Sequence, residues 1–562
     1  MSSSLLKDTV PVKSQSDSIV RAGSSAEAPN NRRLERLLPF FIFIVSLLYL
    51  SLFRRFSVMD LDEGIILQAA ERILHGQVPY RDFFMFYTPG SAYLVAALFK
   101  AFGDSFAVAR TSIAVTGAVC TAITYVLARH VCSRNIALLA AALAMLNSFA
   151  YRFLVLHNWY ATLFASLAIY AALRLWESQK SFWAFACGSL AAITTLIEQS
   201  KGAGLCLGLV VGYLILRFSG RQRTPWNSRL ATILTAGFFW PWLVTFIYFG
   251  LKHGVAAMVE DWLWPLHHYA KVNSVFYGNQ NWSEATRQAL FHSGPLWSKI
   301  FKTLAISPGI VVTILPLIAV GWLVYESVWQ SRKDASSSNH GYYVIVSAAL
   351  SGLLISVLAA RADITHLMYL ANLWYVVLAW ILQDRDSRSR LSKMHSYLIA
   401  YVYIAFGLMG FALLLRVNGA QNHIQTRRGV VSFPAEDSAI PYLQAHVAPE
   451  GELLVYPYLP IYNYLTATDS PAHVDFFQPG MNTPEQAREI IDSLRSHPSA
   501  AILFDPDFSD LLASTWPKTA LADIVNDPVG DFIVRNYRVC QGLVTSSTRR
   551  VQFMVRKGRS CE

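Results

Sequence analysis

Three carboxylates fall within four positions of the run Met59-Asp-Leu-Asp-Glu-Gly64, at Asp60, Asp62 and Glu63. Acids this close suit two kinds of chemistry. One can take the proton from an attacking hydroxyl, or a pair (Asp60 and Asp62) can hold a divalent cation on a phosphate. The bland alternative is capping of an amphipathic helix at the membrane surface. Leu61, Ile65, Ala69 and Ile73 recur at a spacing of four, Asp60 suits the N-cap, Asp62 and Glu63 suit the first turn, and Gly76 suits the position after the last turn. Placement favours chemistry, because the acids directly follow an apolar run of membrane-spanning length.

A second polar cluster, Arg361-Ala-Asp363-Ile-Thr-His366, interrupts two apolar runs. An ionised group held at bilayer depth costs ~2.5–3.5 kcal/mol on insertion scales. The cluster is either an ion pair capping two helix ends or a cationic cradle for a phosphate. In the second case Arg361 and His366 meet the anion and Asp363 orients Arg361. Glu198-Gln-Ser-Lys201 poses the same choice, with Lys201 on a phosphate or paired with Glu198 three residues away. Arg81 and His157 are supporting candidates. His267 and His268 point to different sides of a helix and share no metal. The six cysteines have no metal-binding spacing. Cys540 and Cys561 lie in a polar part of the chain and could pair in an oxidising compartment.

The elements that must carry these residues are legible in composition. Hydrophobic residues make up 54% of the 562 and charged residues 15%, against about 25% in a soluble domain. Apolar runs at 37–53, 106–128, 135–150, 159–176, 181–197, 202–218, 229–250, 300–326, 342–360, 367–383 and 395–415 predict about eleven spans. A net charge of +11 would suggest nucleic acid in a soluble protein. Here the basic residues alternate between loops instead: Arg129 and Arg134; Arg174 and Lys180; Arg217, Arg221, Arg223 and Arg229; Arg332 and Lys333; Arg385, Arg388, Arg390 and Lys393. That pattern places the N-terminus in the cytoplasm and residues 416–562 outside, and leaves no role for nucleic acid. Residues 1–36, polar and ending in Arg32, Arg33 and Arg36, read as a disordered tail. Residues 37–415 form the multi-span part, with a first outer loop at 54–105. In 416–562, strand-like Glu452–Pro457, Ala500–Asp505 and Arg550–Lys557 flank a helix-like Thr483–Arg495 and predict a small α/β domain.

With these residues on the page, the first outer loop resembles that of the GT-C superfamily of membrane glycosyltransferases. The branch it looks most like is glycosyltransferase family 39, the protein mannosyltransferases, with their aminoarabinose-transferring bacterial relatives. The likeness rests on Asp62-Glu63, on Gly76-Gln-Val-Pro-Tyr-Arg-Asp82, on Tyr87-Thr-Pro-Gly90, and on Phe102-Gly103 followed by Arg110. It covers roughly residues 37–130 by motif and the remaining spans by pattern. Pro457–Thr466 and Pro479-Gly480 are reminiscent of outer domains in bacterial members. The resemblance implies an inverting transfer. Asp62 acts as base on the acceptor, which attacks the anomeric carbon of a polyprenyl-phosphate sugar. Asp60 stays open as the alternative base, and a divalent cation on Asp60 and Asp62 stays open as a cofactor. An Arg/Asp/His cluster like that at 361–366 also occurs in related bacterial transferases. One departure stands out: the second outer loop, 151–158, carries Arg152 and His157 where several members have an acid.

The expected protein is therefore a multi-pass plasma-membrane glycosyltransferase acting on the outer face, with a polyprenyl-phosphate sugar as donor and a lipid, glycan or protein as acceptor. A flippase or transporter, or a polymerase or ligase of lipid-linked sugars, is the competing class. Transporters tend to carry internal repeats and broken helices at mid-membrane; no repeat is visible here, and the acids lie in a loop.

Overall fold

The computed structural model describes residues 29–218, 228–280, 282, 284–328, 339–383 and 391–561. Residues 1–28 of the expected tail lie outside these, as do the loop cations Arg221, Arg223, Arg332, Lys333, Arg385, Arg388 and Arg390. The first half of the chain is helical: α1 (Pro29–Ser51), α2 (Leu61–Leu74), α3 (Gly90–Phe102), α4 (Phe106–Arg129), α5 (Arg134–Leu143), α6 (His157–Ser178), α7 (Ser181–Ile197), α8 (Gln199–Phe218), α9 (Ser228–Leu251), α10 (Val255–His267), α11 (Tyr269–Asn273) and α12 (Glu284–Arg287). Then come α13 (Leu296–Val328), α14 (His340–Ala360), α15 (Ile364–Met368), α16 (Ala371–Leu382) and α17 (Leu391–Asn418).

Among the described residues eight helices are long and apolar enough to cross a membrane. The expected number was about eleven. Every expected apolar run lies on a helix, and three of those helices miss the threshold. The α7 and α16 helices are short, with 17 and 12 residues. The 22-residue α6 is interrupted by polar groups, starting with His157 and Asn158. The α1 helix also begins earlier than expected. Residues 29–36, read as tail, are helical, and Glu35 of that turn pairs with Arg129 at 3.3 Å. Close packing between α8 and α14 depends on missing side chains. A Cβ at Gly204 would lie 2.3 Å from the Gly352 oxygen, and one at Gly352 2.0 Å from the Gly204 oxygen.

After α17 the chain forms a hairpin of β1 (Asn422–Thr426) and β2 (Gly429–Phe433), then α18 (Ala439–His446), β3 (Leu453–Tyr456), α19 (Ile461–Thr466), α20 (Pro484–Ser496), β4 (Ala501–Phe504), α21 (Phe508–Thr515), α22 (Leu521–Val525), α23 (Pro528–Asn536), β5 (Tyr537–Val544) and β6 (Arg550–Arg556). The sheet order is β3-β4-β6-β5. The β3 and β4 strands run parallel, joined through α20, and the remaining pairs are antiparallel. Thr483 caps α20 in a reciprocal box with Gln486, and Pro484 occupies its first turn. The strands at 453–456, 501–504 and 550–556 and this helix match the sequence expectation; β5 and the β1–β2 hairpin carried no clear signal. Cys540 and Cys561 form a disulfide across 21 residues.

The α2 helix differs from its expectation in one respect. Asp60 caps it, its side chain accepting from the Asp62 amide at 3.0 Å, and Gly76 follows at φ +89°. It is not a surface helix, however: Glu63 to Arg72 are all buried. The β-containing segment covers it, and a Cβ at Gly64 would sit 2.4 Å from the Ile461 amide nitrogen at the start of α19. One apolar cluster accordingly runs from Leu50 and Ile66 through Ile461 and Tyr462 to Phe553.

Candidate active site

A cavity of about 700 Å³ opens between α2, the α7–α8 junction, α10–α11, the α14–α15 junction and the C-terminal segment. Asp60, Asp62, Arg152, His157, Glu198, Arg361, Asp363 and His366 all line it. The lining runs on to Trp516, so residues up to 456 positions apart in sequence, 60 to 516, face one space.

At one wall stand the two aspartates. Arg152 lies between them, in contact with Asp60 and 3.2 Å from Asp62 Oδ2. Asp60 is further committed by its capping bond. Asp62 is 34% exposed at the cavity wall and accepts one more contact, 3.4 Å from the Tyr458 hydroxyl. Burial raises the Asp62 carboxyl above the ordinary range and the Asp60 charge adds to this, while Arg152, His366 and Arg361 oppose it. Among the described residues no group of three or more His, Cys, Asp or Glu side chains has metal-binding geometry. Arg152, itself a cation, lies between Asp60 and Asp62, the pair for which a divalent cation was left open from sequence.

Glu63, expected among the catalytic acids, turns away from the cavity. One residue along a helix is about 100° of rotation, and this takes Glu63 into the interface with α4. There it faces Arg110 at 2.7 Å through both oxygens and accepts from the Val155 amide at 2.8 Å. Both side chains are fully buried, so Glu63 is a structural anchor.

The 361–366 cluster lines the same cavity. Arg361 Nε donates to Asp363 Oδ2 at 2.6 Å, and its Nη atoms donate to the Thr515 and Asn273 carbonyls at 2.5 and 3.4 Å. Asp363 Oδ1 accepts from the His366 amide and pairs with His366 Nδ1, at 2.9 and 2.7 Å. Burial alone would raise the Asp363 carboxyl, but His366 and Arg361 together hold it well below the usual range. The ion pair expected from one reading of the sequence forms, and all three side chains line the cavity.

Lys201 does not line the cavity. It is buried, 2.7 Å from Glu198 Oε2 and donating to the Asn158 side chain. The local pair forms, and Glu198 is the member exposed to the cavity. His157 packs against Tyr87 in a tilted pair, ring centroids 4.1 Å apart, and its Nε2 lies 3.1 Å from the Asn158 amide. Arg81 is not among the lining residues and pairs with Asp82 at 2.8 Å, part-exposed.

Sequence reasoning did not single out Arg152 or Tyr458 as functional. Arg152 had a usable signal, since a lone cation ending a membrane-spanning run is rarely without a role. Tyr458 had none, standing 396 residues from the acid it meets.

A family model for dolichyl-phosphate-mannose-protein mannosyltransferases matches residues 87–246. Among solved structures, ArnT from Cupriavidus metallidurans bound to undecaprenyl phosphate superimposes with a TM-score of 0.52 at 12% identity, over 94% of this chain and 98% of that one. The chain has the GT-C fold. Two further matches are looser. The apo state of the same ArnT gives 0.47 at 15% identity over 93% and 98% of the chains. The archaeal oligosaccharyltransferase AglB from Archaeoglobus fulgidus, with an inhibitory peptide and a dolichol-phosphate, gives 0.48 at 11% over 87% and 72%. Curated proteins give no match. The GT-C fold here is a multi-pass membrane bundle followed by a small sheet region, in agreement with the fold expected from sequence.

Proposed function

We propose that the protein is an inverting glycosyltransferase that takes a sugar from a polyprenyl-phosphate donor on the outer face of the membrane. The observation that carries this is a single cavity with a carboxylate at one wall and a cationic cluster at another. Asp62 accepts the proton of the acceptor's attacking group. That group's oxygen or nitrogen bonds to the anomeric carbon as the carbon–oxygen bond to phosphate breaks with its electron pair. Arg361 and His366 face the leaving phosphate, whose charge grows in the transition state. A lipid donor fits the rest of the lining: Leu207 of α8, Ile355 of α14 and Leu266 line the cavity with exposed apolar side chains. The ArnT structure that shares the fold was solved with undecaprenyl phosphate. The disulfide in the C-terminal segment supports an extracytoplasmic position for residues 416–562, because such bonds persist in oxidising compartments.

The test uses the full chain in lipid nanodiscs with undecaprenyl-phosphate-linked hexose and aminopentose probes, each offered with lipid, glycan and peptide acceptors. The readout is release of undecaprenyl phosphate. Asp62→Asn lowers turnover by ~10²–10⁴, the usual contribution of a general base. Wild-type turnover in Asp62→Asn removes Asp62 as the base and makes Asp60 the next candidate. Translocation of the probes without phosphate release supports the flippase class instead.

A further inference from the structure

Tyr458 comes from the C-terminal segment, yet its hydroxyl lies 3.4 Å from Asp62 Oδ1. We infer that Tyr458 is a positioning residue for the Asp62 carboxylate, so that the outer segment completes the active site instead of merely covering it. The inference rests on the proposed role of Asp62.

Three observations carry it. First, Asp62 is held at both oxygens, by Arg152 on Oδ2 and by Tyr458 on Oδ1. An ionised carboxylate has about four acceptor sites, so two contacts fix its plane and leave sites open for an incoming proton. Second, the Tyr458 ring cannot swing. It is 6% exposed and packed edge-on against Phe476 and Trp516, each with ring centroids 5.6 Å away. Third, the docking that sets the contact is tight. Gly64, two residues after Asp62, lies against the backbone of Ile461, three residues after Tyr458. A methyl group there would overlap the Ile461 amide, so α19 approaches α2 this closely only because residue 64 is glycine.

Tyr458→Phe keeps the ring and its packing and removes only the donor. A donor to the ionised form favours that form, so its loss makes Asp62 harder to ionise. The readout is the pH midpoint of carbodiimide labelling at Asp62, followed by peptide mass spectrometry on the full chain in detergent, with Asp62→Asn as the blank. In Tyr458→Phe the midpoint moves up, and turnover of an undecaprenyl-phosphate-hexose probe falls about two- to tenfold at unchanged donor KM, the scale of one net hydrogen bond. Gly64→Ala moves the midpoint the same way, by shifting α19. An unmoved midpoint in either folded variant overturns the inference. The labelling needs no turnover, so a moved midpoint in a protein that transfers no sugar upholds the contact and refutes the glycosyltransferase reading instead.

Discussion

Replacing Glu63 by Gln should unfold the protein before it disables chemistry. Glu63 and Arg110 are both 0% exposed and meet through two contacts of 2.7 Å, with the Val155 amide as a third partner. Gln keeps the volume but puts an N–H where Arg110 also presents one, and leaves the guanidinium charge buried without a counter-ion. Breaking one side of such a pair costs ~3–5 kcal/mol, a large part of a typical total stability of 5–15 kcal/mol. The assay is thermal melting in detergent with turnover measured below the melting point. Glu63→Gln melts well below wild type. The double variant Glu63→Met with Arg110→Met recovers much of the loss, because an apolar pair of similar volume often equals a buried ion pair. That double variant also keeps turnover within about tenfold, since the carboxylate never faces the cavity. Asp62→Asn shows the converse, with ~0.3–1 kcal/mol of lost stability from a first-turn acid and turnover lowered by ~10²–10⁴. Glu63→Gln that melts like wild type yet loses activity would falsify the assignment of Glu63 as an anchor.

Arg152→Gln removes a cation that opposes the raised Asp62 pKa. The base works ionised, so activity falls as pH drops through that pKa; without Arg152 the acid limb of the pH–rate profile moves to higher pH. A limb in its wild-type place means Asp62 is not the group being titrated. Arg361→Lys keeps the charge but loses the three-way bracing by Asp363, Thr515 and Asn273, so turnover drops and Arg361→Ala drops further; donor titrations of all three forms check the order. Cys540→Ser lowers the stability by ~3 kcal/mol in the chain-entropy model for a loop of this length, read as a lower melting point. Alkylation before and after reduction shows whether the thiols were paired in the membrane-inserted chain.

The bundle was legible because lipid as solvent leaves no alternative reading for runs so apolar, and every expected run lies on a helix. The lengths were not, because α6 carries polar groups toward the cavity and α16 is buried among its neighbours, so neither needs a fully apolar span. Short signals in the C-terminal segment were read from caps and alternation, as at Thr483 and Leu453–Tyr456. The exposed β5 strand, with alternation blurred by a bulge near Cys540, was not. Within the site, local chemistry found Asp60, Asp62, Arg361, Asp363 and His366. It grouped Glu63 with Asp62 and did not show that Glu63 faces α4, because which face of α2 is covered depends on α4 and α19. Nor could it give the Tyr458 contact, which exists only after a chain segment 396 residues away has docked.

The division of labour between two adjacent acids follows from that docking. A base must meet solvent-like space to exchange a proton, and must ionise near the working pH to be efficient. Asp62 has the first property from the cavity. It approaches the second because burial and the Asp60 charge push its pKa up while Arg152, His366 and Arg361 limit the rise. In the proposed mechanism two of these groups, Arg361 and His366, also face the leaving phosphate. A bound phosphate therefore offsets part of their field at Asp62 and makes the carboxyl more basic once the donor has arrived. The acid limb measured on donor-saturated enzyme should lie at higher pH than the limb measured at low donor concentration. Coincident limbs in kcat and kcat/KM would mean that donor and base do not share the cavity.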